Sequence, residues 1–264
     1  MVGDNIKIYE EGYNRLVVDS FAPKPWKPSK EIEDIVEQKW KELISKKPHV
    51  TSDPLIRLDR MYWKGKSLHL LTSSTEYKFH FGTRPNQKKE DRADPVYVSA
   101  LVISHGKLVF GQRSSFVSRG ENQYNIVAGG VNPIIDRNPD TGRPALALGL
   151  FREAREELGL TPEVFDYVST IMLFGLEHEP TGSFLYAIRL NIGTDDLQRR
   201  LESAIKIAEK RGQQPPEMVG LEFVDYNKFG IRDALEMNGD NYRPSVRALF
   251  KHYSKEDVPL PLIT

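Results

Sequence analysis

Residues 152–160 read Arg-Glu-Ala-Arg-Glu-Glu-Leu-Gly-Leu and place three glutamates, Glu153, Glu156 and Glu157, within one short stretch. On a helix, side chains three and four positions apart share a face. These three carboxylates therefore fall within about a 100° arc. Ala147, Phe151, Ala154 and Leu158 fall on the opposite side as an apolar stripe. One face is expected to pack on a sheet while the other presents the acids together. Like charges at this spacing repel by roughly a few tenths of a kcal/mol per pair. The helix dipole adds to that cost, because the glutamates lie in the C-terminal half of the helix. A divalent cation offsets such crowding, and an all-oxygen ligand set suits Mg²⁺ or Mn²⁺. Arg152 can pair with Glu156 at i,i+4 and hold it for a metal. Gly149, one turn before Glu153, leaves room for substrate or a second ion.

Two more features belong to the same pattern. Gly129 and Gly130 follow a strand-like segment and give a backbone able to approach a phosphate or offer a carbonyl to a metal. Gly159 stands where a helix C-cap is needed. Together these residues resemble the Nudix box. It reads Gly, five residues, Glu, seven residues, then Arg-Glu-apolar-any-Glu-Glu-any-Gly-apolar, and residues 152–160 match every position of its second half. The resemblance implies that Glu153, Glu156 and Glu157 are the metal and water-activating residues. It also implies that Arg152 organises them and that the Gly130 (or Gly129) carbonyl is a further ligand. The first half departs from the pattern. Strict spacing back from Arg152 puts Pro144 where the upstream glutamate belongs, and the glycine pair lies well upstream of its slot. Asn132 to Pro144 reads as an insertion, with Asp136 or Asp140 as substitutes for the displaced acid. The number of metal ions is left open by this departure.

The family hydrolyses a nucleoside diphosphate linked to another group. Such chemistry needs charge neutralised on two phosphates and a bound water made acidic by metal, with in-line positioning. Arg113, at the end of a strand, and Arg119, in the following loop, are candidate phosphate contacts. Glu177 and Glu179 flank His178 in a turn between two strands, where the family carries a base, and Glu179 is the preferred candidate.

These groups need elements to position them. The pattern predicts helices over Glu31–Lys46, Ala145–Leu158, Thr194–Arg211 and Arg243–Tyr253. The Glu31–Lys46 helix is expected to bury Ile32, Ile35, Val36, Trp40, Leu43 and Ile44. Strands are predicted over Ile56–Trp63, Ser67–Thr72, Val96–Ser104, Lys107–Gln112, Tyr124–Ala128, Val164–Leu176, Ser183–Ile192 and Leu221–Tyr226. Residues 1–30 read as irregular or strand-like. Strands and helices mix without a βαβ rhythm. The expectation is therefore an α+β fold: a Nudix-type α/β/α sandwich with a mixed sheet, preceded by an α+β N-terminal extension. Polar residues 83–94 mark the candidate boundary, giving an accessory region over 1–94 and a catalytic domain over 95–264.

Composition narrows the rest. The chain has 264 residues, with 37 basic and 37 acidic side chains and no cysteine. The absence of thiols excludes disulfides, cysteine-ligated zinc and cysteine nucleophiles. Balanced charge provides no long-range field for nucleic acid. The N-terminus lacks a signal-like apolar core and no run is long enough to span a membrane, so a soluble cytoplasmic protein is expected. The extension and the run Thr75 to Thr83 resemble, in organisation, the eukaryotic Nudix hydrolases acting on UDP-glucose and UDP-galactose, whose box is degenerate where this one is intact. That likeness implies a nucleotide-sugar substrate, with Tyr77, Phe79 and Phe81 shaping the nucleotide pocket; their alternative is strand core. Pairing through such extensions is common in the family, so a homodimer is compatible with it. ADP-ribose or a dinucleotide is the rival substrate, and a nucleotide sensor without catalysis is the rival class.

Overall fold

The computed structural model describes residues 6–11, 15–83, 88–117, 120–176, 182–211 and 216–261. The chain begins with strands β1 (Ile6–Glu11) and β2 (Arg15–Pro25) and helix α1 (Lys30–Lys46). Strands β3 (Pro54–Lys64) and β4 (Ser67–Glu76) and the short helix α2 (Tyr77–Gly82) follow. Next come β5 (Tyr97–Ser104), β6 (Lys107–Arg113), β7 (Tyr124–Asn125) and β8 (Val127–Gly130). After them run α3 (Leu146–Leu158), β9 (Phe165–Leu176), β10 (Ser183–Leu190) and α4 (Thr194–Lys210). The last elements are β11 (Met218–Asp225), α5 (Lys228–Asn238) and α6 (Pro244–Tyr253).

Among the described residues, eight strands form one sheet in the order β1-β9-β10-β5-β6-β11, with β7 beside β6 and β8 beside β5. The β10–β5 pair is parallel and its neighbours are antiparallel, so the sheet is mixed. Strand side chains alternate between faces, and β5 shows what each face meets. Val98, Ala100 and Val102 share a core with Leu146, Leu150, Ala154 and Leu158 of α3 and Leu197 and Leu201 of α4. Leu101 and Ile103 share the opposite core with Ile231 and Ala234 of α5 and Val246, Leu249 and Phe250 of α6. This is the predicted α/β/α sandwich.

The second sheet, β2-β4-β3, adds Ile56, Leu68 and Leu70 to the first of those cores. Its prolines Pro23 and Pro25 lie on the edge strand β2, where a missing N–H costs no ladder bond. Backbone bonds join the sheets: Ile56 N–H donates to Val131 O (2.9 Å), Val96 N–H to Ile56 O (2.8 Å) and Val131 N–H to Val96 O (3.1 Å). Residues before position 95 thus enter both layers, since β1 is also the edge of the large sheet.

Three local expectations change. Of the apolar stripe on α1, only Val36 is fully buried and Ile35 is exposed, because α1 packs with α2 and not with a wide sheet. α5 was not predicted; Asn227 caps it, its side chain accepting from Gly230 N–H at 2.8 Å. The aromatic run after Glu76 is helical, not extended. Aromatic residues suit strands, yet here Tyr77, His80 and Phe81 share a helical face while Phe79 turns inward.

Thr83 holds the end of α2. Its buried hydroxyl donates to Phe79 O (2.7 Å) and accepts from Ala93 N–H (3.2 Å). Thr83→Val keeps the shape and strips both bonds, so unfolding in urea is expected to show a loss of about 2 kcal/mol.

Candidate active site

Helix α3 ends as its sequence demands. Gly159 takes a left-handed φ of 67° and Leu160 N–H returns to Ala154 O at 3.1 Å. Leu146, Leu150, Ala154 and Leu158 bury the sheet-facing side. The three glutamates, however, are not presented together. Glu157 is 2% exposed, Glu153 is mostly covered, and only Glu156 is open to solvent.

Arg152 is the hub of this arrangement. Its Nε and Nη2 donate to the two oxygens of Asp136, both at 3.0 Å, and Nη2 also reaches Gly130 O at 2.8 Å. Its Nη1 lies 2.9 Å from Glu156 and 2.7 Å from Glu153. Burial alone disfavours its charge, but the Asp136 bond and the Glu153 and Glu156 charges outweigh that and raise its pKa above the ordinary arginine value. The expected Arg152–Glu156 pair is present, inside a larger network.

Asp136, from the insertion, is buried at 2% exposure and also accepts from Asn132 N–H at 2.7 Å. Gly149 makes room for it: a Cβ there would lie 3.1 Å from Asp136 Oδ2. The space expected to serve a substrate or second ion is occupied by this carboxylate. Asp140 stays in the insertion's own turns, its N–H bonded to Asn138 Oδ1 at 2.9 Å.

Gly129 lies directly under Glu153. A Cβ at that position would sit 2.0 Å from the Glu153 carboxylate, so any side chain displaces it. Glu157 Oε2 accepts from Ala128 N–H at 3.0 Å, while its buried Oε1 has no hydrogen-bond partner among the described residues. Arg113 Nη1 stands 3.9 Å from that oxygen, and its Nη2 stands 3.4 Å from Glu217. Arg113 thus faces two carboxylates at the cleft wall.

Sequence reading missed Glu217. It precedes β11 and reaches the site because Ser114 N–H bonds to its carbonyl at 2.7 Å and Met218 pairs with Arg113. Only strand pairing brings it there; no local spacing signals it. Burial, opposed by Arg152 and reinforced by Glu156 and Glu217, pushes the Glu153 carboxyl up to about 7. Burial, then the Glu153 and Glu217 charges, push Glu157 well above the usual carboxylate range.

Arg113, Gly129, Gly130, Arg152, Glu153, Glu156 and Glu217 line a cleft of about 660 Å³, with Glu157 and Asp136 behind them. Tyr77 and Phe81 line it from α2, but Phe79 does not: it is 1% exposed, packed with Val36, Ala93 and Trp26. Its assignment to the nucleotide pocket is corrected to core. Arg119, Glu177, His178 and Glu179 lie outside the described residues.

The donor set fits a hard divalent cation. A buried carboxylate oxygen of Glu157, without a hydrogen-bond partner among the described residues, lies near the charges of Glu153 and Glu217, and Glu153 and Glu156 on the same helix offer further oxygens. Among the described residues, no three acidic or histidine side chains already converge as a metal cage. No helix among them is long and apolar enough to cross a membrane.

No family model matches the chain, and no curated protein matches it. Solved structures similar to part of it include a MutT protein from Methanosarcina mazei Go1, 17% identical, covering 61% of this chain and 94% of that one at a TM-score of 0.36. Another is the NUDIX domain of Shewanella oneidensis NrtR complexed with ADP ribose, 12% identical, covering 63% and 90% at 0.39. A third is a bifunctional NMN adenylyltransferase/ADP ribose pyrophosphatase from Francisella tularensis, 14% identical, covering 59% and 39% at 0.35. Likeness at this level leaves function to be read from the chain's own residues.

Two outcomes are expected. Asp136→Asn removes the carboxylate that anchors Arg152 and lowers activity about 10- to 100-fold, as loss of an outer partner does; steady-state kinetics checks it. The second concerns pH. Glu153 titrates at about 7 in the folded chain against an ordinary 4.5. Between those values the folded state binds more protons than the unfolded one, so stability falls as pH rises. For Glu153 the loss is on the order of 3 kcal/mol, and Glu157 adds to it with the same sign. In EDTA, the melting temperature should drop from pH 5 to pH 8, and the Glu153→Gln/Glu157→Gln double variant should flatten that drop.

Proposed function

We propose that this chain is a Nudix-type hydrolase. It uses Mg²⁺ (Mn²⁺ can replace it) to cut the pyrophosphate bond of a nucleoside diphosphate joined to another group. The first-choice substrate is a nucleotide sugar such as UDP-glucose, released as nucleoside monophosphate and sugar 1-phosphate. The observation that carries this reading is Glu157. A buried carboxylate with one oxygen lacking a hydrogen-bond partner among the described residues, crowded by the cleft-lining Glu153 and Glu217, is costly without a cation.

In this reading Glu153, Glu156 and Glu157, with the Gly130 carbonyl, hold the metal. When bound, it neutralises the two phosphates and acidifies a water. Arg152 fixes Glu153 and Glu156 relative to the β8 backbone through its bonds to both and to Gly130 O. A water oxygen attacks one phosphorus, its proton passes to a carboxylate, and the P–O bond to the other phosphate breaks. Glu217 is proposed to take that proton, supported by its place in the cleft lining beside Arg113 and its charge near both buried acids. Glu179 is the alternative proposed from the motif. Arg113 stabilises charge developing on the phosphates; Arg119 is proposed for the same task. Asp136, proposed to stand in for the displaced upstream acid of the motif, is supported by its two bonds to Arg152.

Glu156→Gln and Glu157→Gln are expected to lower Mg²⁺-dependent turnover at least about a hundredfold while circular dichroism stays unchanged. The assay separates the nucleotide products by anion-exchange chromatography after incubation with UDP-sugars, ADP-ribose, NADH and diadenosine polyphosphates. Full activity in either variant would sink the metal-site assignment, and wild-type inactivity on every compound would favour a nucleotide sensor.

A further inference from the structure

The row of extended segments that carries Arg113 does not end at β6. Gly111 pairs with Asn125 and Gln112 with Tyr124 across β6 and β7, and Tyr124 pairs in turn with Tyr242, in parallel. Arg243 N–H donates to Tyr124 O at 2.9 Å. Successive side chains on extended backbone point to opposite faces. Phe110, Tyr124 and Tyr242 enter the core shared with α5 and α6. Val109, which shares the α3 core, and Arg113, which faces Glu157 of α3, lie on the other face of β6. Asn125 and Arg243 alternate with Tyr124 and Tyr242, so they lie on that face too. The register thus sets Asn125 beside Arg243, on the same face as Arg113. Two strand spacings, about 10 Å, separate the backbones of the two arginines. All three residues line the cleft.

Asn125 is 7% exposed, and among the described residues its side-chain amide makes no hydrogen bond. A covered amide normally finds a partner; this one reaches the cleft instead. Arg243 is held in place. A Cβ at Gly120 would lie 2.3 Å from its Nη1 and 2.5 Å from its Cδ, so the arginine lies against the turn that Gly120 makes at a left-handed φ of 67°. Ser245, two residues on, also lines the cleft. A guanidinium, an amide and a hydroxyl all carry donors, and an anion is the ligand that takes several donors at once. Donors fixed before the ligand arrives lower the cost of ordering them.

We propose that Asn125 and Arg243 form an anion site in the cleft, built from other residues than the carboxylates of α3, and that it takes a carboxylate or phosphoryl group which the substrate carries in addition to the diphosphate that is cut. The proposal rests on the hydrolase reading for the placement of that diphosphate at the α3 acids. It narrows the substrate class to a nucleoside diphosphate derivative with a further negative charge. A neutral hexose such as that of UDP-glucose offers the site only hydroxyl groups. The corresponding uronic acid offers a carboxylate, and a phosphorylated ribose offers a phosphoryl group; both match the planar fork of an arginine.

The first arm of the test uses the full chain in EDTA, where the α3 acids repel an anion and metal-dependent turnover plays no part. Inorganic phosphate is titrated at constant ionic strength and followed through the Asn125 side-chain amide by heteronuclear NMR, the signal being assigned by its loss in Asn125→Ala. That signal should shift and saturate at millimolar phosphate. Arg243→Gln should weaken the binding about tenfold, and Arg243→Lys, which keeps the charge and loses the fork, about threefold. Melting curves verify that each variant folds; should Arg243→Gln fail to, Arg243→Lys carries the comparison. The second arm adds Mg²⁺ and compares UDP-glucuronic acid with UDP-glucose, for a carboxylate, and NADPH with NADH, for a phosphoryl group. KM should be lower for the charged member of at least one pair, and the arginine variant should shrink that difference; the pair that responds identifies the source of the anion. The proposal is overturned if the Asn125 amide ignores phosphate, if the folded arginine variant binds phosphate as tightly as the parent, or if an active enzyme shows no Arg243-dependent difference within either pair. Arg243-dependent phosphate binding without Mg²⁺-dependent turnover of any compound would sustain the anion site and sink the hydrolase reading. Turnover with phosphate binding and both KM differences indifferent to Arg243 would do the reverse.

Discussion

One guanidinium ties three parts of the chain together. Arg152 donates to the inserted loop through Asp136, to the end of β8 through Gly130, and along its own helix to Glu153 and Glu156. A planar fork with five N–H groups can serve several oxygens at once, which a lysine cannot. Its position is half-buried, so a lost bond to the buried Asp136 would leave a polar group with little water to replace it. Gly129 has no side chain because Glu153 lies over it, and Gly149 has none because Asp136 comes close. The placement of α3 against β8 follows from this single set of bonds as much as from the apolar packing behind it.

Around that centre, charge is arranged in opposition. Arg113 stands between Glu157 and Glu217, and Arg152 stands among Asp136, Glu153 and Glu156. Among the described residues, two cations thus serve five carboxylates, and a buried oxygen, Glu157 Oε1, is left without a hydrogen bond. A core carboxylate is normally removed by selection or given a partner. Retaining one at the cleft edge gives the site a standing preference for positive charge.

Much of this was legible in the sequence because it is local. The 3.6-residue periodicity and Gly159 placed α3 to within a residue, and Arg152–Glu156 follows from i,i+4 geometry. What was not legible depends on pairing or on ambiguity. Glu217 arrives through the β6–β11 ladder, about a hundred residues of chain from Arg113. Glu157 turned inward because α3 lies against β8, whose Ala128 N–H donates to its Oε2, so the buried arc of the helix is wider than the apolar stripe. The Tyr77–Gly82 run satisfies both a period of two and a period near 3.6; in so short a segment, the bonds Tyr77 N–H to Asp53 O and Thr83 N–H to Phe79 O select the helix.

The inserted loop bears on how such a site persists as chains lengthen. It leaves β8 and rejoins α3 through a neck: Asp136 N–H bonds to Asn132 O, Ala145 N–H to Asp136 O, and Arg137 bridges Pro144. Beyond the neck, Asn138 and Arg143 close a turn of their own. A detour pinched shut at its base transmits little of its length to the structure that carries it, and doubling such a loop costs only about 0.6 kcal/mol in closure entropy. Linear distance along the chain and distance in space are thereby uncoupled. The stretch beyond Asp136 can be redrawn by mutation while the acid at its root keeps its address.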